Sequence, residues 1–157
     1  MRVFTLILLF FLVSSVSAES IKIGYIDTEM VVNNLSKYKE GRTLIASEFE
    51  AKKQELLDLF NHIELIRSNK VDLDANELQQ ILKLESSFKQ ETEYWQAAIN
   101  QKQVDLLKDI EMVINKAIKE FALEENFDLI LYENAAFVSD DIDISNQIIS
   151  RIENQEL

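Results

Sequence analysis

Two stretches decide the fold: Lys22-Ile23-Gly24-Tyr25-Ile26-Asp27 near the start of the chain and Phe127-Asp128-Leu129-Ile130-Leu131-Tyr132 far downstream. In the first, Ile21, Ile23 and Tyr25 recur at a period of two and are β-branched or aromatic, which reads as a short strand. The second is a mostly continuous apolar run, as in a strand buried on both faces. After a turn at Asn134-Ala135, Ala136-Phe137-Val138-Ser139 reads as a third short strand. Strand signals therefore occur only at the two ends of the chain. Those ends must meet in space to form one small body, residues 19–35 with 126–157.

Two short helices complete that body. Asp27 or Thr28 caps the first, over residues 29–34, with Met30, Val31 and Leu35 as its apolar positions. A turn at Asp140-Asp141 precedes Asp143, which caps a final amphipathic helix with Ile144, Ile148, Ile149 and Ile152 on or near one face. So few short elements cannot bury a convincing core alone. Self-association is a physical expectation, and Ile23, Tyr25, Leu129, Ile130, Leu131 and Phe137 are the candidate residues for it.

Residues 36–125, between the two ends, read as helix. The chain has no proline, and its only glycines are Gly24 and Gly41. Proline costs about 3 kcal/mol in a helix interior, so its absence permits very long helices, and the glycines are the available flexible points. From a cap at Ser36, the first long helix runs to about Lys70 with Ile45, Phe49, Leu56, Leu59, Ile63 and Ile66 in heptad rhythm. Lys52 occupies the missing seam position. After a break at Ser68-Asn69-Lys70, Asp74 and Glu77 form a capping box that restarts the helix. The second helix carries Leu78, Ile81, Phe88, Trp95, Ile99, Leu106, Ile110, Val113 and Ala117, with Glu85, Thr92 and Lys102 as polar interruptions. It ends near Glu125-Asn126, with Asn126 as a left-handed cap.

Two such helices joined by a short polar turn make an antiparallel hairpin, each arm about 50–75 Å long at 1.5 Å per residue. The polar gaps in the seam predict a slender arm that tolerates bending. The fold class is mainly α with a small β body, from which the coiled-coil hairpin projects.

The first residues address the chain to export. Arg2 precedes an apolar run from Val3 to Val13, and Ser14-Ser15-Val16-Ser17-Ala18 follows with small residues at cleavage-type positions. Residues 1–18 thus read as a cleavable signal peptide. Their apolar run is about half of the ~20 residues that a membrane span needs, and no later segment comes close, so the mature chain should be soluble. Cysteine is absent, which removes disulfides and thiolate chemistry; with no such staples, oligomerisation is one route to a core. Lys and Arg number 16 against 28 Asp and Glu, a net charge of −12. That balance argues against nucleic acid and against attraction to anionic lipid or lipopolysaccharide. It suits a solubilising shell around something sticky.

The opening Lys22-Ile23-Gly24-Tyr25-Ile26-Asp27, with Val31-Val32-Asn33-Asn34, Gly41 and Glu48-Phe49-Glu50-Ala51-Lys52-Lys53-Gln54-Glu55-Leu56 after it, resembles the start of the Skp/OmpH family of periplasmic chaperones. Phe127-Asp128-Leu129-Ile130-Leu131, Asn134-Ala135, Ser139 and Asp143-Ile144-Ser145 resemble that family's ending. The likeness runs in order along the whole mature chain; its two ends are moderately specific and its arms are generic coiled coil. It implies a jellyfish-like trimer, with strands of three subunits building a shared barrel and three hairpins enclosing a cavity. It further implies a periplasmic, ATP-independent holdase for unfolded outer-membrane proteins, with no cofactor. Trimer against dimer rests on this resemblance, since the heptads allow both. Familiar members are basic with positively charged arm tips. Here the tip, residues 68–76, sets Lys70 against Asp72 and Asp74, so no lipopolysaccharide or membrane site carries over.

No catalytic frame or phosphate loop is present. His62, the only histidine, lacks partners at metal-ligand spacing and reads as a solvated arm residue. Asp140-Asp141-Ile142-Asp143 lacks the glycine and distal glutamate of a calcium loop, and reads as a turn and a cap. What remains is surplus apolar surface. Leu57 and Leu65 lie about 100° and 180° from Leu56 around the helix, so one seam cannot bury them all. With Phe60 and Tyr94 they are the candidate client-facing residues, although each alone also suits thicker packing within the hairpin. The rival function is a periplasmic coiled-coil spacer or adaptor that docks folded partners.

Overall fold

The computed structural model describes residues 20–69, 74–132 and 135–155. The signal-peptide reading of residues 1–18 and the hairpin tip at 70–73 lie outside them. In chain order the elements are β1 (Ile23–Ile26), α1 (Thr28–Asn34), α2 (Ser36–Asn69), α3 (Ala75–Glu124), β2 (Leu129–Tyr132) and α4 (Ser145–Gln155).

β1 and β2 pair in parallel, Ile23 opposite Leu129 and Tyr25 opposite Leu131, so the whole hairpin is the connection between two adjacent strands. Among the described residues the sheet is two-stranded within one chain and is not a closed barrel. The third strand expected at Ala136–Ser139 does not form, and Phe137 is 84% exposed there. The free side of β1 is instead met a few residues later. Tyr25 N donates to the Ile142 carbonyl (2.8 Å), and Ile144 N donates to the Tyr25 carbonyl (2.9 Å). A single bridge at Asp143 satisfies that edge just before α4 begins, which leaves the preceding residues without a ladder to join.

Local chemistry sets the helix ends. Asp27 is the N-cap of α1, its Oδ1 accepting from Met30 N at 2.8 Å. Asp74 and Glu77 form the expected capping box on α3. Asn126 takes a left-handed φ of 55° just past α3, a conformation that asparagine tolerates. Asp143, expected as the cap of α4, stands one residue ahead of it: Ile144 provides the first helical carbonyl, accepting from Ile148 N at 3.1 Å, and Asp143 Oδ1 accepts from Ser145 N at 2.8 Å. Ser36 is not a cap: Leu35 provides the first helical carbonyl, and Glu153 of α4 accepts the exposed Ser36 amide at 2.8 Å.

The core lies where the lower hairpin meets the short elements. Ile26, Val31, Leu35, Ile110, Ile148 and Ile152 are fully or almost fully buried, joined by Ile114, Ala117 and Ile144. Each such large apolar side chain contributes about 1.5–3 kcal/mol on burial. Ser145, buried among them, accepts from Asp27 N at 2.9 Å, tying the end of β1 to the start of α4. Arg151 adds an outer clamp, its two terminal nitrogens donating to Glu124 at 2.7 and 2.6 Å.

The glycines prove to be close-packing positions rather than flexible points. A Cβ on Gly41 would stand 2.5 Å from a Leu106 methyl across the hairpin, and one on Gly24 would stand 2.9 Å from Ile144 and 3.0 Å from the Phe127 ring.

Candidate functional site

Two partly apolar surfaces stand out among the described residues. The first is the outer face of the sheet. Gly24, Ile26 and Ile130 turn inward to the core, so by strand alternation Ile23, Tyr25, Leu129 and Leu131 share the other face. Leu131 is 50% exposed, and β2, read from its sequence as buried on both faces, is covered on one face only. Its outer edge has no strand beside it among the described residues. Of the residues expected to mediate self-association, Ile130 packs against the core, four form this apolar face, and Phe137 stands apart on the exposed loop.

The second surface is one side of the hairpin. α2 has 34 residues and α3 has 50, hence lengths of about 50 and 75 Å. Leu56, Ile63 and Ile81 are buried in the seam, whereas Leu78 next to the tip is about half exposed. The polar interruptions are not loose gaps. Lys52 reaches across to Glu91 (2.6 Å), Lys102 to Glu48 (3.0 Å) and Arg67 to Glu85. Lys52 is held above its ordinary pKa by Glu91 first and Glu55 second; Glu91 is held below the ordinary carboxylate value by Lys52, then by Ser87. These pairs join the two helices at places where the seam is polar.

The Lys52–Glu91 and Glu48–Lys102 pairs lie on one side of the seam; the other side is grooved. At its base, a depression of about 580 Å³ runs past Val32, Tyr38, Leu107 and Ile118. A second, of about 420 Å³, shares Tyr38 and Leu107 and continues up the arm. Further out, Lys53, Leu56, Leu57, Phe60, Phe88, Thr92 and Trp95 line an apolar dimple of about 180 Å³. Phe60 and Phe88 meet there at 5.9 Å between ring centres, and Trp95 Nε1 donates to the Phe49 carbonyl at 3.3 Å.

Leu57 and Phe60, two of the four candidate client contacts, thus come together. Leu65 and Tyr94 are exposed but do not line the dimple. Phe88 and Trp95 were hidden by their fit to the seam rhythm. Two bulky aromatics one heptad apart on either side of Thr92 are the signal that could have exposed them, because such rings overfill a narrow interface. His62 is exposed on α2. No helix among the described residues is long and apolar enough to cross a membrane.

A small α/β body carrying one long antiparallel helical hairpin is the class of protein that these elements define. The model of the OmpH family (outer membrane protein, OmpH-like) matches residues 22–152, and the chain belongs to that family. Among solved structures it is similar to a Caulobacter crescentus CB15 protein described as an outer membrane chaperone (OmpH-like). The two share 9% identity with a TM-score of 0.59, over 87% of this chain and 86% of that one. At that identity the likeness speaks for the fold. No curated protein matches the chain.

Proposed function

We propose that the protein is an ATP-independent holdase of the periplasm, exported by a cleaved signal peptide, which keeps unfolded outer-membrane proteins from aggregating. In this reading the sheet face of Ile23, Tyr25, Leu129 and Leu131 is covered by the same face of other copies, giving a trimer with a shared barrel. The hairpins, residues 36–125, then surround a cavity, and clients rest against their grooved sides. Membership of an OmpH-like family supports the reading. The observation that carries it is the arm itself, which runs far beyond the body core and leaves Leu57 and Phe60 about 45% exposed beside an apolar dimple. A plain spacer would have no use for that surface. Many weak apolar contacts on a charged, soluble scaffold suit a partner with no fixed shape.

Light scattering of a β-barrel protein diluted from denaturant is the test, run beside a solution mass measurement. Suppressed scattering with a mass of three copies is the expected result. Undiminished aggregation would remove the holdase, and protection restricted to one folded partner would favour an adaptor. Leu129→Glu with Leu131→Glu should lower the mass while leaving helix content intact.

A further inference from the structure

We infer that the dimple between Phe60, Phe88 and Trp95 seats one aromatic side chain of a client segment that is itself positively charged. This rests on the holdase reading and gives it a recognition chemistry.

The volume suits one ring. The dimple holds about 180 Å³, and an engineered apolar cavity of about 150 Å³ is enough to bind benzene. Its walls ask for carbon. The polar groups at its edge are already satisfied: Trp95 Nε1 by the Phe49 carbonyl at 3.3 Å, Thr92 Oγ1 by the Phe88 carbonyl at 2.7 Å, and Lys53 Nζ by Glu50 at 3.2 Å. Phe60 and Phe88 are tilted by 40° to each other, an open pair against which a third ring can pack edge to face. An aliphatic side chain would fill the space without that ring contact.

Charge selects what flanks the ring. The ammonium groups nearest the seat are engaged, Lys52 by Glu91 and Glu55 and Lys53 by Glu50. Asp58, Glu64 and Glu93 are exposed close by in sequence and make no ion pair among the described residues; the exposed Lys83 and Lys89 make none either, which leaves three acids against two bases. The whole chain carries −12. Acidic segments approaching such an arm are repelled and basic ones drawn in, over a screening distance of about 10 Å at 0.1 M salt.

Trp95 is the only tryptophan, so its emission reports on the seat directly. Four soluble peptides on one glycine–serine frame form the probe: Phe or Leu at the centre, each flanked by Lys or by Glu. With the intact, assembled protein, calorimetry should rank Phe–Lys tightest, about tenfold above Leu–Lys. The same peptide should shift Trp95 emission, and added salt should weaken it. Thr92→Phe, which fills the seat, should erase the preference for Phe over Leu; Phe60→Ala, which removes one exposed wall and its ring contact with Phe88, should reduce it. Equal binding of Phe–Lys and Leu–Lys, or of Phe–Lys and Phe–Glu, would overturn the inference. Client aggregation is scored separately: failure there removes the holdase, whereas protection with unranked peptides removes only the seat.

Discussion

The body and the arm are held by different physics. In the body, Val31 of α1, Leu35 and isoleucines from β1, α3 and α4 converge until Ile26, Leu35, Ile110 and Ile148 lose all contact with water. Along the arm only a narrow seam is buried, and cross-helix ion pairs fill the places where the seam is polar. A thick core fixes one geometry, with only the outer sheet face of Ile23, Tyr25, Leu129 and Leu131 and the loop at Phe137 left outside it. A two-helix seam can bury only one stripe of each helix, so further apolar residues remain at the surface. The arm's exposed Leu57 and Phe60 follow from that limit, and function can draw on them.

The contrast is broken most severely at the body's centre. Ile148→Ala removes a fully buried side chain between α4 and the hairpin base, and should cost about 2–5 kcal/mol in denaturant unfolding. The same truncation at Leu57 should cost far less, since that side chain is 44% exposed. Equal losses would mean that body and arm are not differently built. Next comes Gly24→Ala. Its new methyl would press on Ile144 and on the Phe127 ring, which is itself packed against Phe121 (5.8 Å between ring centres) and covered by the Lys22 ammonium. Overpacking of this kind costs about 1–3 kcal/mol, and a thermal melt would show it.

What could be read from sequence was local. Asp27, the Asp74–Glu77 box and Asn126 announce themselves by residue type and spacing, and Ile148 and Ile152 by period. These are signals within a few residues, and the structure places each as read. The bridge at Asp143 displaced the strand expected at Ala136–Ser139 because β1 needed a partner at one point only, and no period encodes which point. Glu153 meets Ser36 across 117 residues, a pairing that composition cannot indicate. The site was half legible for a related reason. Surplus apolarity flagged Leu57, Phe60, Leu65 and Tyr94 alike, but only the mutual rotation of two helices decides which of them share a side.

The Glu153 contact gives a subtler way to sharpen the comparison. Glu153 is held below its ordinary value of 4.5 by the Ser36 amide and then by the Ser36 hydroxyl. A depressed carboxylate contributes stability that is complete above its unfolded value and is lost as pH falls through the folded one. Docking of α4 on the hairpin base should therefore weaken from about pH 4.5 downward. Glu124, lowered by Arg151, acts in the same direction. Hydrogen exchange of α4 amides should rise as the pH falls below about 4.5. Glu153→Gln should flatten part of this response.

The smallest effect belongs to the seam's own charges. Lys52 and Glu91 are both solvent-accessible, so their attraction is partly screened, and their separate loss should move the melting temperature only slightly. Their value lies in register. With Lys52 opposite Glu91 and Glu48 opposite Lys102, a slide of one helix by a heptad would set these charges against unmatched neighbours. Lys52→Glu should loosen the arm through a Glu–Glu contact, and adding Glu91→Lys should restore it by exchanging the signs in place. Crosslinking between cysteines introduced on facing seam positions would read the register directly. If the reversed pair failed to recover the single variant's loss, or recovered it equally in 1 M salt, where charges a few ångströms apart are screened, the contact would not be electrostatic and the seam would owe its alignment to apolar packing alone.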